Sequence, residues 1–298
     1  MNEALEERPF CAEVSASLEE PVGATASRVE RWILVEWAGH WPYDPLDASV
    51  FAGELREHLA AQLAALPHAR LLLVKRGRRA RGLGVRVFLG STPERGRSVR
   101  GLELDDHRQL LDLDLSGDQP IGTPVGHPLL LVCTHGVRDR CCARYGQALC
   151  RELHAHAPPD WVWQASHVGG DRFAGNLVIL PEGLYFGRVG KPEAQAALAA
   201  YLDGKIALDR YRGASCQPFA VQAAELHVRR LTGLRGFYDL SVLGVERPEA
   251  DRWSVELRAE LSGEIYTVEL AAERDTEPRH LTCRASAPRL ARRFVVTG

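Results

Sequence analysis

Apolar residues recur along this chain in two kinds of run. Continuous stretches at 31–37 (RWILVEW), 70–76 (RLLLVKR), 85–90 (VRVFLG) and 129–133 (LLLVC) have the length and branched side chains of buried strands. Segments 49–66, 141–156, 191–204 and 217–232 instead place their apolar residues at helical spacing. In the first of these, Asp47 or Ser49 can cap the start and Pro67 stops the helix. Residues 101–115 suggest a further short strand followed by a polar excursion. The basic run 75–81 (KRGRRAR) reads first as a solvated hairpin loop, with docking of an acidic redox partner or a phosphate as the alternative.

A Pro/Gly-rich stretch at 120–128 (PIGTPVGHP) predicts a linker, and a second unit follows it. That unit predicts a strand at 129–133, a helix at 141–156 and a strand at 161–166. A hairpin around Pro181-Glu182-Gly183 and a closing helix at 191–204 complete it. Strand, cysteine-bearing loop, helix, strand, hairpin and helix form the thioredoxin-like order. The expected fold is therefore α/β, with thioredoxin-like layered domains. Alternating stretches near 253–259, 265–270 and 280–286 predict a small C-terminal antiparallel β-unit. The expected division is 1–125, an α/β domain; 126–208, the domain carrying the candidate site; and 209–298, a helix with the β-unit. The two α/β units share a rough shape without visible sequence self-similarity.

Composition narrows the functional classes. Thirty-seven basic against 39 acidic residues give no reason to expect nucleic acid or membrane as a partner. No apolar run approaches the roughly 20 residues of a membrane span. The acidic start MNEALEERPFCAEV lacks the regions of a signal peptide, so a cytoplasmic location is expected. Seven cysteines in such a chain point to metal or redox chemistry before structural disulfides, and three of them fall within ten residues.

Those three define the candidate site. Cys133 stands where a strand ends, and Cys141 and Cys142 open a helix. The helix dipole together with Arg138, Arg140 and Arg144 favours thiolates there. The competing reading is that such cysteines simply fill the core. A second element, His167-Val168-Gly169-Gly170-Asp171, follows the strand at 161–166. Gly169 and Gly170 leave the backbone open to a ligand and its amides free to donate; the plainer reading is a tight glycine turn. Cys11, Cys150, Cys216 and Cys283 lack ligand-spaced neighbours and read as packing residues. The segment 187–192 lacks the glycine and Ser/Thr of a phosphate loop. His154 and His156 suit a helix C-terminus better than ligation. No Ser-His-Asp arrangement with supporting context is visible, and nothing supports sugar hydrolysis.

Taken together, Cys133-Thr-His-Gly, Cys141-Cys142, His167-x-Gly-Gly, Phe173-Ala-x-Asn176 and Leu180-Pro181-x-Gly183-x-Tyr185-x-Gly187-Arg188 resemble the sucrase/ferredoxin-like family. The resemblance extends over roughly residues 10–230. It implies a thioredoxin-like [2Fe–2S] ferredoxin fold and an electron carrier rather than an enzyme, working with redox partner proteins. Some eukaryotic members hold the cluster with two cysteines and two histidines. Carried over, the ligands are Cys133, Cys142 and His167, and the second histidine position holds Asp171. Three outcomes stay open: Asp171 ligates, Cys141 or His135 replaces it, or the cluster is absent. The last leaves a thiol-redox protein or a binding scaffold; zinc on the same ligands is a lesser variant. The oligomeric state is left open.

Overall fold

The computed structural model describes residues 8–76, 84–115 and 120–298. The basic run at 75–81 falls largely outside the described residues. The chain forms a mixed α/β protein with a ten-stranded sheet and a separate four-stranded antiparallel sheet.

A short helix, α1 (Cys11–Ser17), precedes the first strand, β1 (Arg31–Glu36). Then come α2 (Glu54–Ala65), β2 (Ala69–Lys75), β3 (Val85–Ser91), β4 (Ser98–Leu104) and the two-residue β5 (Thr123–Pro124). The second half runs β6 (Leu129–Cys133), α3 (Arg140–His156), β7 (Val162–Ala165), β8 (Leu177–Leu180), β9 (Leu184–Phe186), α4 (Lys191–Leu202) and β10 (Tyr211–Ala214). Across the large sheet the order is β10-β9-β8-β6-β7-β2-β1-β3-β4-β5.

Among the described residues, only β1/β2 and β6/β7 pair in parallel, each pair joined through a helix. Consequently β2-β1-β3-β4 and β7-β6-β8-β9 repeat one order with one set of pairing senses. The halves meet where β2 and β7 pair antiparallel, Val74 opposite Ala165 and Lys75 opposite Gln164. The Pro/Gly-rich stretch at 120–128 contributes β5 to the sheet edge.

Strand β6 is buried along its whole length because both of its faces are covered. Its period-two alternation divides it. Leu130 and Val132 join Leu149, Leu153 and Leu198 in one core, whereas Leu129, Leu131 and Cys133 face Trp32, Trp163 and Tyr185 in another. A third core lies over the first half, around Phe51, Leu55, Leu59 and Leu73.

Helix α2 starts later than the 49–66 spacing predicts. Two short 3-10 turns precede it, and Gly53, at φ 66°, interrupts the path. Helix α5 (Phe219–Thr232) ends on the left-handed Gly233 and packs Val221, Ala224 and Val228 on the small sheet. That sheet consists of β11 (Leu240–Glu249), β12 (Arg252–Ala259), β13 (Ile265–Arg274) and β14 (Arg292–Val296). The stretch at 280–286 is not a strand. Residues 275–291 leave the small sheet, and Arg279 of that excursion pairs with buried Glu20 at 3.2 Å. Glu20 also holds Arg172, at 2.7 Å, so one carboxylate ties three segments together. No helix among the described residues is long and apolar enough to cross a membrane.

One close approach fixes α3 against β6. A Cβ on Gly146 would lie 1.9 Å from the Cys133 carbonyl oxygen. Backbone rather than a flexible side chain is the obstacle, so the helix itself would have to move. Gly146→Ala should therefore destabilise the fold by about 3 kcal/mol despite alanine's better helix propensity. Urea denaturation checks this, and an unchanged midpoint would contradict the packing described.

Candidate metal centre

Strand β6 delivers Cys133 to its carboxyl end, where the Cys133 amide donates to the Asn176 carbonyl at 3.1 Å. The chain then turns tightly, with the Arg138 and Asp139 amides both donating to the His135 carbonyl at 3.1 Å. Asp139 caps α3: its Oδ1 accepts the Cys141 amide at 2.8 Å. Successive helical positions are about 100° apart. Cys141 and Cys142 therefore point different ways. Cys142 turns toward Cys133 within the sheet core, while Cys141 turns toward α1.

The third segment follows β7. Ser166 is held on both sides by Leu73, through its amide (2.8 Å) and its hydroxyl (3.0 Å). His167 comes next, then buried Val168, then Gly169 at φ 100° and Gly170 at φ 83°. Both glycines sit where L side chains are strained. A Cβ on Gly170 would also meet the Arg212 guanidinium at 2.4 Å. Arg212 is fully buried and braces this loop. It donates to the Gly169 carbonyl at 2.9 Å, Asn176 Oδ1 at 2.8 Å and Thr25 Oγ1 at 2.9 Å. Burial, with no carboxylate in direct contact, lowers its pKa to about 10.

These segments bring the Cys133, Cys142 and His167 donor atoms within 4.8 Å of one another. Asp171 joins them, its Oδ1 3.3 Å from Cys142 Sγ and 3.0 Å from His167 Nδ1. Cys133, Cys142 and Asp171 are buried, and only His167 retains appreciable side-chain exposure, 21%. The neighbouring Cys142 holds the Cys133 thiol well below its ordinary pKa despite burial, with His167 assisting. Cys133, together with burial, pushes Cys142 well above. Burial disfavours charge on His167, but Asp171 and Cys133 outweigh it and raise its pKa to about 9.

The alternative ligands lie elsewhere. His135 is buried edge-on against Trp41, ring centroids 5.9 Å apart, and burial lowers its pKa. Cys141 belongs to a second buried group with Cys11, Asp139 and Cys283. Cys11 and Cys283, expected to be packing residues, are indeed buried, but each has other sulfurs beside it. They stand 272 positions apart, so no local spacing could pair them; an odd cysteine count was the only trace in the sequence. Cys150 does pack in the apolar core, beside Leu149 and Leu153.

Fold and site together define a mixed α/β protein with buried Cys/His/Asp groups able to hold a metal ion. Its family follows from comparison: residues 22–213 match the sucrase/ferredoxin-like family model, and the chain belongs to that family. It is similar to two proteins named altered inheritance of mitochondria protein 32. The one from Meyerozyma guilliermondii is 35% identical over 98 residues, covering 28% of this chain and 34% of the relative. The one from Clavispora lusitaniae is 32% identical over 99 residues, 30% and 36% of the two chains. The match thus spans about a third of each curated relative. No solved structure matches the chain.

The Arg212 brace gives a direct prediction. A lysine has one compact ammonium and cannot serve Gly169, Asn176 and Thr25 together. Arg212→Lys should cost about 2–4 kcal/mol through orphaned buried acceptors. A loss below about 0.5 kcal/mol in chemical denaturation would show that the loop is held by other means.

Proposed function

We propose that the protein is a one-electron carrier whose [2Fe–2S] cluster is held by Cys133, Cys142, His167 and Asp171. The observation that carries this reading is the convergence of four donors, two of them thiols, on one place. Cys133, Cys142 and His167 bring their donor atoms within 4.8 Å of one another, and the Asp171 carboxylate joins them, 3.0 Å from His167 Nδ1 and 3.3 Å from Cys142 Sγ. Two thiolates with an imidazole and a carboxylate would supply the four ligands that a two-iron cluster needs. Burial of Cys133, Cys142 and Asp171 fits a centre shielded from water.

When bound, the cluster supplies the one-electron redox couple. The chain does the rest. Cys133 and Cys142 would hold the group as thiolates, and His167 would ligate as a neutral imidazole. Asp171 would add negative charge where a second histidine would be neutral, which would favour the oxidised state and lower the potential. Val168, Tyr185 and Trp32, all buried, exclude water behind the site. His167, the partly exposed donor, marks the edge through which a redox partner protein would exchange electrons. The order β7-β6-β8-β9 with α3 as crossover and α4 following supports a thioredoxin-like ferredoxin domain over 126–208. Seven free cysteines support a reducing compartment such as the cytoplasm.

A second reading rests on the proximity of the buried Cys133 and Cys142 sulfurs, since two neighbouring thiols can also form a redox dithiol. Purification without oxygen from a cell able to build clusters separates the two readings. The cluster reading expects reddish-brown protein with about two irons and two acid-labile sulfides per chain. Asp171→His should keep the colour and raise the potential by on the order of 100 mV. Colourless, iron-free protein that loses two thiols reversibly on mild oxidation would establish the dithiol instead.

A further inference from the structure

The second buried group carries its own chemistry. The Sγ atoms of Cys11, Cys141 and Cys283 form a triangle with sides of 3.6 Å (Cys11–Cys141), 3.3 Å (Cys141–Cys283) and 3.6 Å (Cys11–Cys283). A tetrahedral ion with metal–sulfur bonds of about 2.3 Å places its sulfur ligands about 3.8 Å apart. The three thiols therefore span one face of a mononuclear tetrahedral site to within about half an ångström. Asp139 stands at the same place, its Oδ2 3.8 Å from Cys11 Sγ. Its two oxygens accept the Cys141 and Cys283 amides at 2.8 and 2.7 Å, which fixes the carboxylate in orientation.

We propose that Cys11, Cys141, Cys283 and Asp139 bind one zinc-class ion, independently of the centre at Cys133. Three thiolates and a carboxylate form a closed four-ligand set, which makes the site structural. Positive and N–H groups surround the sulfurs as a thiolate cluster requires. The Cys11 amide donates to Cys283 Sγ at 3.5 Å, and the Arg140 guanidinium bonds the same sulfur. Core packing alone accounts for a cysteine such as Cys150, set among aliphatic side chains; it does not require three sulfurs and a fixed carboxylate around one point. A disulfide would use two of the three sulfurs and leave one over. The ion would clasp α1 and the 275–291 excursion to the first turn of α3, joining segments far apart in sequence. The two centres share no donor, because adjacent Cys141 and Cys142 diverge on the helix.

Zinc-edge X-ray absorption on the full chain purified from zinc-supplemented cells tests this. The expected first shell is three sulfurs near 2.3 Å and one oxygen near 2.0 Å. Cys283→Ser should lose that signal and its zinc equivalent, and Cys142→Ser should keep both. Should Cys283→Ser fail to fold, cobalt titration of the metal-stripped wild-type chain gives the same answer through tetrahedral d–d bands and sulfur-to-cobalt charge transfer. A shell of two sulfurs and an imidazole would overturn the proposal by placing zinc at Cys133, Cys142 and His167. Zinc-free protein without cobalt bands, or a chain lighter by two hydrogens from a disulfide among these cysteines, would also overturn it.

Discussion

The close contact of α3 with the carboxyl end of β6 controls everything at the site. Gly146 allows the helix to lie directly on the Cys133 carbonyl, and no other residue type leaves that space. With the helix at that height, its first turn stands level with the end of the strand. Cys142 then meets Cys133 in the core of the large sheet, and Cys141 is carried to the opposite side. The Asp139 cap starts the helix at the position this requires.

Two buried charged groups hold the surrounding loops to that junction. Arg212 braces the glycine turn from β10, so the positions of His167 and Asp171 depend on a strand on the far side of the sheet. Asp139 works similarly on the other side, accepting the amide of Cys283 from the 275–291 excursion. Its pKa is raised to about 7, with burial the largest cause and Asp171 adding to it. Two carboxylates therefore flank the first turn of α3, one toward each cysteine group. Acidic groups this well buried fit a location where cations compensate them.

Much of this was legible in the sequence because local pattern governs it. Continuous apolar runs marked β1, β2, β3 and β6 to within a residue or two, and helical spacing marked α3, α4 and α5. The convergence of Cys133 and Cys142 with His167 and Asp171 came from family motifs; strand-end and helix-start positions alone left Cys141 and Cys142 equivalent. What stayed hidden depends on long-range pairing. The joining of β2 to β7 buries apolar edges already explained by either half. β10 is too short to stand out, and its buried Arg212 looks like a surface residue in sequence. The 280–286 stretch alternates like a strand, yet Cys283 is drawn to other sulfurs and the last pairing strand shifts to 292–296. Separation of 272 residues conceals a contact that no periodicity reports.

The central claim is that one helix start serves two chemically distinct metal centres. Anomalous-difference maps collected at the iron and zinc edges from one crystal of anaerobically purified protein test it most directly. The account predicts iron density among Cys133, Cys142, His167 and Asp171, and a separate zinc peak among Cys11, Cys141 and Cys283. A single metal position, or none at either edge, would contradict it.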